Sequence, residues 1–176
     1  MQKYYHYYTN LLGLFAICGL LIAAIAIQFV ENEPACPLCL LQRMCFTAVG
    51  LTFAFNLRLG ISNANYGLII LSALLGLFIS TRQILLHILP SEPGFGMAIF
   101  GLHLYTWAAI TFILVIIYGA ISLLIPIAPL KEGNQNKLVS FVIGLLLLIT
   151  LTNLVITFGE CAFFECPDNP TSYPYL

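Results

Sequence analysis

Residues 11–30, LLGLFAICGLLIAAIAIQFV, form an apolar run in which Gln28 is the one strongly polar side chain. A helix needs about 20 mostly apolar residues to cross a hydrocarbon layer about 30 Å thick. Backbone polar groups find no water in lipid, so a helix, which pairs them within one segment, is the expected structure. This stretch therefore predicts a membrane-spanning helix.

The composition of the whole chain points to the same class. Of 176 residues, 61% are hydrophobic and 7% are charged, and the net charge is −1. Soluble domains carry roughly 25% charged residues, so the charged groups of this chain are too few to cover a surface in water. A soluble globular enzyme is excluded, and without clusters of Lys and Arg we expect no nucleic-acid partner.

Four further apolar runs follow the first. We predict an all-α, polytopic membrane helix bundle that forms one integral membrane domain over residues 1–176, with spans at about 11–30, 40–57, 67–89, 105–125 and 138–159 and a tail at 160–176. The first run, with Lys3 ahead of it, is similar to a cleavable signal peptide. It is longer than a usual signal core, so we expect it to remain as a span.

The basic residues predict the orientation of the bundle. With five spans, one face collects the N-terminus and two turns that together carry Lys3, Arg58, Lys131 and Lys137. The opposite face collects the loops at 31–39 and 90–103 and the tail, where most of the acidic residues lie. By the positive-inside rule the first face is cytoplasmic. We therefore predict a cytoplasmic N-terminus and a C-terminus on the outer side.

The six cysteines divide by their position relative to the spans. Cys18 and Cys45 lie inside spans, where cysteine usually packs as a small hydrophobic side chain. The other four form two pairs, Cys36-Pro-Leu-Cys39 and Cys161-Ala-Phe-Phe-Glu-Cys166. Both pairs fall on the predicted outer face of the membrane, although they are far apart in the sequence.

Two cysteine pairs on an oxidising face have three interpretations: a redox relay, a four-cysteine zinc site or inert structural disulfides. We favour the relay, because a staple across two residues constrains the chain little and Cys-x-x-Cys is the usual form of an exchanging pair. Zinc ribbons favour two tight Cys-x-x-Cys motifs, whereas four residues separate Cys161 from Cys166. The other two interpretations stay open.

Arg43 strengthens the relay hypothesis. Cys39 falls where the second helix is predicted to begin, and the positive end of the helix dipole would favour its thiolate. Arg43 lies four residues later, so the two side chains share a helix face. A charge at the edge of the lipid is a candidate functional residue, although Arg43 could also reach to the headgroups. A thiol pair at this position needs a two-electron acceptor, and a lipid-soluble quinone would be available.

The third span carries polar side chains near its outer end. Gln83 and His87 are four residues apart and share a face, while Arg82 points elsewhere. Anchoring at the membrane interface is the simpler explanation for Arg82 and remains open for His87. We assign His6 and His103 to the interfaces.

Two segments resemble one known family. The run Cys36-Pro-Leu-Cys39-Leu-Leu-Gln-Arg43 and the segment from Arg82 to Pro90 are similar to the disulfide bond formation protein B (DsbB) family of bacterial inner membranes. The resemblance covers about the first 90 residues. It implies a membrane thiol:quinone oxidoreductase that re-oxidises a periplasmic, thioredoxin-fold thiol oxidase similar to DsbA.

The resemblance also implies site residues and a cofactor. Cys36 and Cys39 match the pair next to the quinone, with Cys39 as the thiolate that contacts it. Arg43 matches the quinone-site arginine, and His87 is expected to line the same pocket. The expected cofactor is a quinone, ubiquinone rather than menaquinone, in the bacterial inner membrane with both cysteine pairs on the periplasmic face.

The second half of the chain departs from the family pattern. Members usually have four spans and hold a second cysteine pair between spans three and four, but residues 90–103 contain no cysteine. Our hypothesis is that Cys161 and Cys166 replace that pair, because a fifth span places the tail on the outer side. Two alternatives remain: a reductase that exports electrons, and a non-catalytic membrane protein with structural disulfides.

Overall fold

The computed structural model describes residues 2–31, 34–89, 94–127 and 136–161, with Gln2 and Lys3 described by their backbone alone. In these ranges the chain folds into five α-helices and one short hairpin. They are α1 (Gln2–Val30), α2 (Pro37–Arg58), α3 (Asn63–Leu86), β1 (Ala98–Ile99), β2 (Leu102–His103), α4 (Leu104–Leu124) and α5 (Lys137–Cys161). All five helices are long and apolar enough to cross a membrane, which confirms the predicted helical class and number of spans. The orientation of the termini stays a prediction.

The helices are longer than most of the predicted spans. Helix α1 begins at Gln2 instead of residue 11, and α5 continues to Cys161 instead of ending at 159. Counting apolar residues finds only the part of a helix that suits lipid, whereas intrahelical hydrogen bonds continue through polar flanking residues. Helix α3 ends earlier than predicted, at Leu86, where the His87 N–H turns back to the Ile84 carbonyl at 3.2 Å.

Helix α2 occupies the middle of the bundle. It packs against α1, α3 and α5, while α4 packs mainly on α3. The Phe46 ring of α2 and the Phe112 ring of α4 stack with centroids 4.0 Å apart. Gly76 of α3 leaves the room for this stack, since a Cβ there would overlap the Phe112 ring. The central position of α2 brings its first turn into reach of three other helices.

The outer surface of the helices is apolar. Large hydrophobic side chains are exposed along each helix, among them Leu12, Leu71, Phe78, Leu114 and Phe141. A contiguous apolar surface of this kind is unfavourable in water and suits lipid. The exposed face and the packed interior therefore both fit a membrane bundle.

The hairpin before α4 stands where a plain loop was predicted. Ala98 pairs with His103 and Ile99 with Leu102. The two turn residues, Phe100 and Gly101, have φ values of 53° and 80°, which is the geometry of a type I′ turn. The indole Nε1 of Trp107 donates to the Ile99 carbonyl at 3.0 Å, so the hairpin is tied to the first turn of α4.

His6, which the sequence assigns to a membrane interface, turns into the bundle instead of toward its surface. His6 is buried, and its Nδ1 lies 2.9 Å from the Tyr66 hydroxyl. It belongs to a group of polar side chains, all buried except the half-buried Asn65, that we call the tyrosine-end cluster (His6, Asn10, Asn56, Asn65 and Tyr66). Because α1 extends to Gln2, His6 and Asn10 are one turn apart on one helix face and both turn inward.

Candidate active site

Cys36 and Cys39 lie at the start of α2 as free thiols. Pro37 occupies the first turn, where a missing N–H leaves no helical hydrogen bond unmade. Cys36 is the N-cap, and its Sγ accepts a hydrogen bond from the Cys39 backbone N–H at 3.2 Å. The pKa of the Cys36 thiol is raised above its ordinary value, first by its hydrogen bond with Cys39 and next by burial. The helix start thus holds the two sulfur atoms side by side.

Gln83 of α3 connects the two sulfur atoms. Its Nε2 donates to Cys36 Sγ at 3.1 Å and to Cys39 Sγ at 3.4 Å. Its Oε1 accepts from Gln42 Nε2 at 2.7 Å, which fixes the orientation of the amide. Both glutamines are buried. A neutral amide from the neighbouring helix therefore holds the thiol pair in position.

Arg43 is held by acceptors from two other helices. Its NH1 donates to Gln28 Oε1 at 2.6 Å and to Asn153 Oδ1 at 3.5 Å, and its NH2 donates to the Ala24 carbonyl at 3.1 Å. Ala24 and Gln28 belong to α1, and Asn153 belongs to α5. The half-buried guanidinium therefore turns inward, which disfavours a simple headgroup anchor.

Glu160, near the end of α5, is buried with 3% of its surface exposed. Its Oε1 accepts from Gln28 Nε2 at 2.6 Å and from the Ala35 N–H at 3.0 Å. Among the described residues Oε2 has no hydrogen-bond partner. Glu160 thus links α5 to α1 and to the residue just before Cys36.

Cys161 lies beside the first cysteine pair. It packs in a small buried cluster with Ala35 and Leu40, against which Cys39 also packs. Cys161 is disulfide-bonded. Its predicted partner, Cys166, lies outside the described residues. The structure therefore places one member of the predicted second pair in the cluster against which Cys39 packs, and the role of that member in a relay stays a prediction.

A cavity of about 430 Å³ opens between α1, α2, α4 and the hairpin. Cys39 and Arg43 both line this cavity, and most of its wall is apolar, with Phe46, Phe95 and Phe100 among the lining side chains. The predicted shared helix face of Cys39 and Arg43 thus becomes part of one concave site. Apolar pockets with a few polar groups are the usual form of small-molecule sites.

His87 lies next to the cavity but is separated from it by Tyr105. The His87 ring stacks on the Tyr105 ring at 5.6 Å, and His103 stacks on the same ring at 5.3 Å. Tyr105 lines the cavity, and His87 does not. Arg82 is exposed on the outer face of α3. The expected contribution of His87 to a quinone pocket stays a prediction.

Sequence reasoning missed four polar side chains of this site. They are Gln28, Gln83, Asn153 and Glu160. The first three interrupt apolar runs, and Glu160 directly precedes Cys161, so a polar residue inside a span was the available signal. Across the described ranges, no group of three or more His, Cys, Asp or Glu side chains could hold a metal ion.

The fold and the site define a class, a polytopic helical membrane protein with a thiol pair at the mouth of an apolar cavity. The family model described as "Disulfide bond formation protein DsbB" matches residues 7–98. The chain belongs to the disulfide bond formation protein B family, which confirms the resemblance seen in the sequence. Membership supports disulfide formation by a membrane oxidoreductase.

Curated relatives agree with the family model. The chain is similar to the disulfide bond formation protein B of Burkholderia thailandensis, with 32% identity over 151 residues, which is 65% of this chain and 86% of the relative. It is also similar to the protein of the same name from Burkholderia pseudomallei, with 31% identity over 143 residues, which is 60% of this chain and 82% of the relative. The protein of Burkholderia ambifaria is 51% identical over 45 residues, a match that spans 26% of this chain and 25% of that relative's length. No solved structure matches. Because the family model ends at residue 98, α5 and its cysteines lie beyond it.

Proposed function

We propose that this protein is a thiol:quinone oxidoreductase of the bacterial inner membrane that re-oxidises a periplasmic, thioredoxin-fold thiol oxidase similar to DsbA. Electrons pass from the partner to Cys161 and Cys166, then to Cys36 and Cys39, and then to a membrane quinone. The observation that carries the proposal is that Cys39 and Arg43 line one apolar cavity, while Cys39 also packs against the small cluster that contains Cys161.

The cavity suits a quinone headgroup. Such a headgroup is a flat, apolar ring with two carbonyl acceptors, so it needs apolar walls and a positive or donating group. Phe46 and Phe100 supply apolar wall, and Arg43 supplies a permanent positive charge. When bound, a quinone accepts two electrons and two protons from the Cys36–Cys39 dithiol. We propose that the quinone is ubiquinone rather than menaquinone. Arg43 and His87 are the residues that we assign to its binding, Arg43 from the cavity wall and His87 from behind Tyr105.

The thiol chemistry uses two exchanges, each of which passes through a mixed disulfide. A partner thiolate attacks the Cys161–Cys166 disulfide, and the partner leaves as a disulfide while the tail pair becomes a dithiol. A tail thiolate then attacks Cys36 of the Cys36–Cys39 disulfide, and Cys39 leaves as a thiolate. The second tail cysteine displaces Cys36 from this mixed disulfide, so the tail disulfide re-forms and Cys36 and Cys39 become a dithiol. Gln83 keeps both sulfur atoms of this pair within one hydrogen-bonded frame.

The packing of Cys161 supports the place of the tail pair in the proposed relay. In the proposed relay Cys161 must reach the Cys36–Cys39 pair, and its packing with Ala35 and Leu40 supports that reach. Cys166 is the member that we assign to the mixed disulfide with the partner, because Cys161 is buried in the cluster against which Cys39 packs.

The proposal is tested with purified protein, a reduced thioredoxin-fold oxidase and a short-chain ubiquinone. We expect the partner to become oxidised in step with quinone reduction, one partner disulfide for each quinone reduced. Quinone reduction without partner oxidation would contradict the relay. Accumulation of reduced partner in cells that make the protein would instead indicate an electron-exporting reductase.

The proposed topology needs a separate test. After mild reduction of intact cells, a membrane-impermeant thiol reagent should label the half-buried Cys39 and the tail residue Cys166 from outside, as read by mass spectrometry of the isolated protein. Cys18, which is buried in the middle of α1, provides the unlabelled control. Labelling of Cys39 and Cys166 only after the membrane is permeabilised would overturn the proposed orientation.

A further inference from the structure

Arg43 reaches a carboxyl group of α5 through one intermediate side chain. Arg43 NH1 donates to Gln28 Oε1 at 2.6 Å, and Gln28 Nε2 donates to Glu160 Oε1 at 2.6 Å. We call this chain of hydrogen bonds the Arg43–Gln28–Glu160 bridge. It joins α2, α1 and α5, and the family model that ends at residue 98 includes only its first two members.

The donor and acceptor chemistry gives the bridge a fixed direction. A guanidinium can only donate hydrogen bonds, so the Gln28 amide must turn its oxygen toward Arg43. Its NH₂ group then points away from Arg43 and needs an acceptor. Glu160 Oε1 supplies that acceptor and also receives the Ala35 N–H at 3.0 Å. An apolar side chain at position 160 would take this charged acceptor away from the buried Gln28 amide, which is costly.

Burial makes the bridge able to hold Arg43 firmly. Gln28 is 3% exposed and Glu160 is 3% exposed. Hydrogen bonds in such surroundings are stronger than in water, and each one restricts the groups it joins. Asn153 of α5 adds a second acceptor for Arg43 NH1, at 3.5 Å. Two side chains of α5 therefore bear on the orientation of one guanidinium at the cavity wall.

We propose that Glu160 is a positioning residue of the quinone site, which acts through Gln28 to hold the Arg43 guanidinium at the wall of the cavity. The proposal rests on the function proposed above, in which Arg43 faces a quinone. It extends the use of α5 beyond carrying Cys161, because the fifth helix then sets quinone affinity as well. A binding site is most accurate when the groups that touch the ligand are held by a supporting layer of contacts.

Trp107 allows quinone binding to be measured without turnover. It is the single tryptophan of the chain, and it lines the cavity. Quenching of its fluorescence by a short-chain ubiquinone therefore gives a Kd. The titration uses full-length protein in which Cys161 and Cys166 are both serine, so the result does not depend on the tail as a thiol relay.

Two substitutions remove the bridge at different points. Gln28→Met breaks the link to Arg43 while the Glu160 contact with Ala35 stays, and Glu160→Met removes the acceptor itself. We expect each to raise the quinone Kd by about fivefold, the value of one hydrogen bond. Glu160→Gln retains an acceptor oxygen of the same reach and should stay within about twofold of the parent protein. Thr150→Val, on α5 and outside the bridge, is the matched control and should leave the Kd unchanged.

A double-mutant cycle shows whether Glu160 acts through Arg43. In an Arg43→Met background the bridge has no guanidinium to hold, so Glu160→Met should add no further loss of affinity. Size-exclusion profiles and helical circular dichroism verify that each variant is folded. If Glu160→Met raises the Kd equally in the parent protein and in the Arg43→Met background, the bridge is overturned. An unchanged Kd in folded Gln28→Met protein would overturn it as well. Neither result would contradict the proposed oxidoreductase. If the parent protein shows no saturable quenching, the proposed quinone site itself fails, and the bridge fails with it.

Discussion

The bundle buries two polar clusters at opposite ends of its helices, and they differ in chemistry. The cysteine-end cluster contains two hydrogen-bonded groups: Gln83 bonds to Cys36 and Cys39, and Gln28 links Arg43 to Glu160. Cys39 and Arg43 also line a cavity. The tyrosine-end cluster, defined above, consists of amides, an imidazole and a phenol that bond mostly to one another. None of its members lines that cavity.

The comparison shows that burial of polar groups alone does not identify a site. Both clusters tie helices together, as fully bonded polar groups do in a low-dielectric interior. The cysteine end adds three features that a structural cluster does not need: a nucleophile, a permanent charge and an apolar space beside them. The tyrosine end therefore serves as an internal reference in which packing effects can be measured without chemistry.

The largest expected effect comes from the nucleophile. Cys39→Ser should lower quinone-dependent thiol oxidation by at least about 10³-fold, since removing a nucleophile eliminates the covalent step. The measurement is quinone reduction followed by absorbance, with a small dithiol as reductant. Cys45→Ala is the matched control, because Cys45 is a buried free thiol of the same helix. Normal turnover of Cys39→Ser protein would show that the cysteine end is only structural.

The next effect separates the two cysteine pairs. Replacing Cys161 or Cys166 by Ser should stop oxidation of the thioredoxin-fold partner, because the first exchange then has no disulfide to attack. Quinone reduction driven by a small dithiol should continue, since Cys36 and Cys39 remain. Both activities are measured on the same preparation, and Cys18→Ala, a change inside α1, provides the control. Partner oxidation at the normal rate in both single variants would remove the tail from the relay.

Removing the charge should have a smaller effect than removing a sulfur. Arg43→Met should lower kcat/KM for quinone by about 10- to 100-fold, the usual value of a hydrogen bond from a charged donor. Arg43→Lys should recover part of this loss, because it keeps the charge but not the planar group that bonds to Gln28 and Ala24. Steady-state rates against quinone concentration provide the measurement. An unchanged kcat/KM in both variants would reduce Arg43 to an anchor.

The sequence predicted the parts of the molecule that depend on local spacing. Five apolar runs predicted five helices. The four-residue step from Cys39 to Arg43 predicted a shared helix face, and both side chains line the cavity. Gln28 and Glu160 meet only because α1 and α5 pack side by side. Nothing in the spacing of the two residues encodes that contact. The inward turn of His6 likewise depends on Tyr66, a residue of another helix.

The smallest effect on activity is expected at the tyrosine end. Asn10→Leu removes a donor to the Tyr66 hydroxyl and an acceptor for Asn56 Nδ2, which leaves buried groups unpaired at a cost of about 1–3 kcal/mol. Position 10 lies about 27 Å from Gln28 along α1, so kcat/KM for quinone should change by less than about twofold. Thermal unfolding in detergent, followed by circular dichroism, measures the loss of stability.

Leu12→Ala is the control for that measurement, because Leu12 lies on the exposed, lipid-facing side of the same helix. It should leave both unfolding and activity nearly unchanged. A fall in quinone kcat/KM with Asn10→Leu as large as that with Arg43→Met would mean that the two ends are coupled. The tyrosine end could then no longer serve as a reference, and the effects of Cys39 and Arg43 would have to be separated from the stability of the whole bundle.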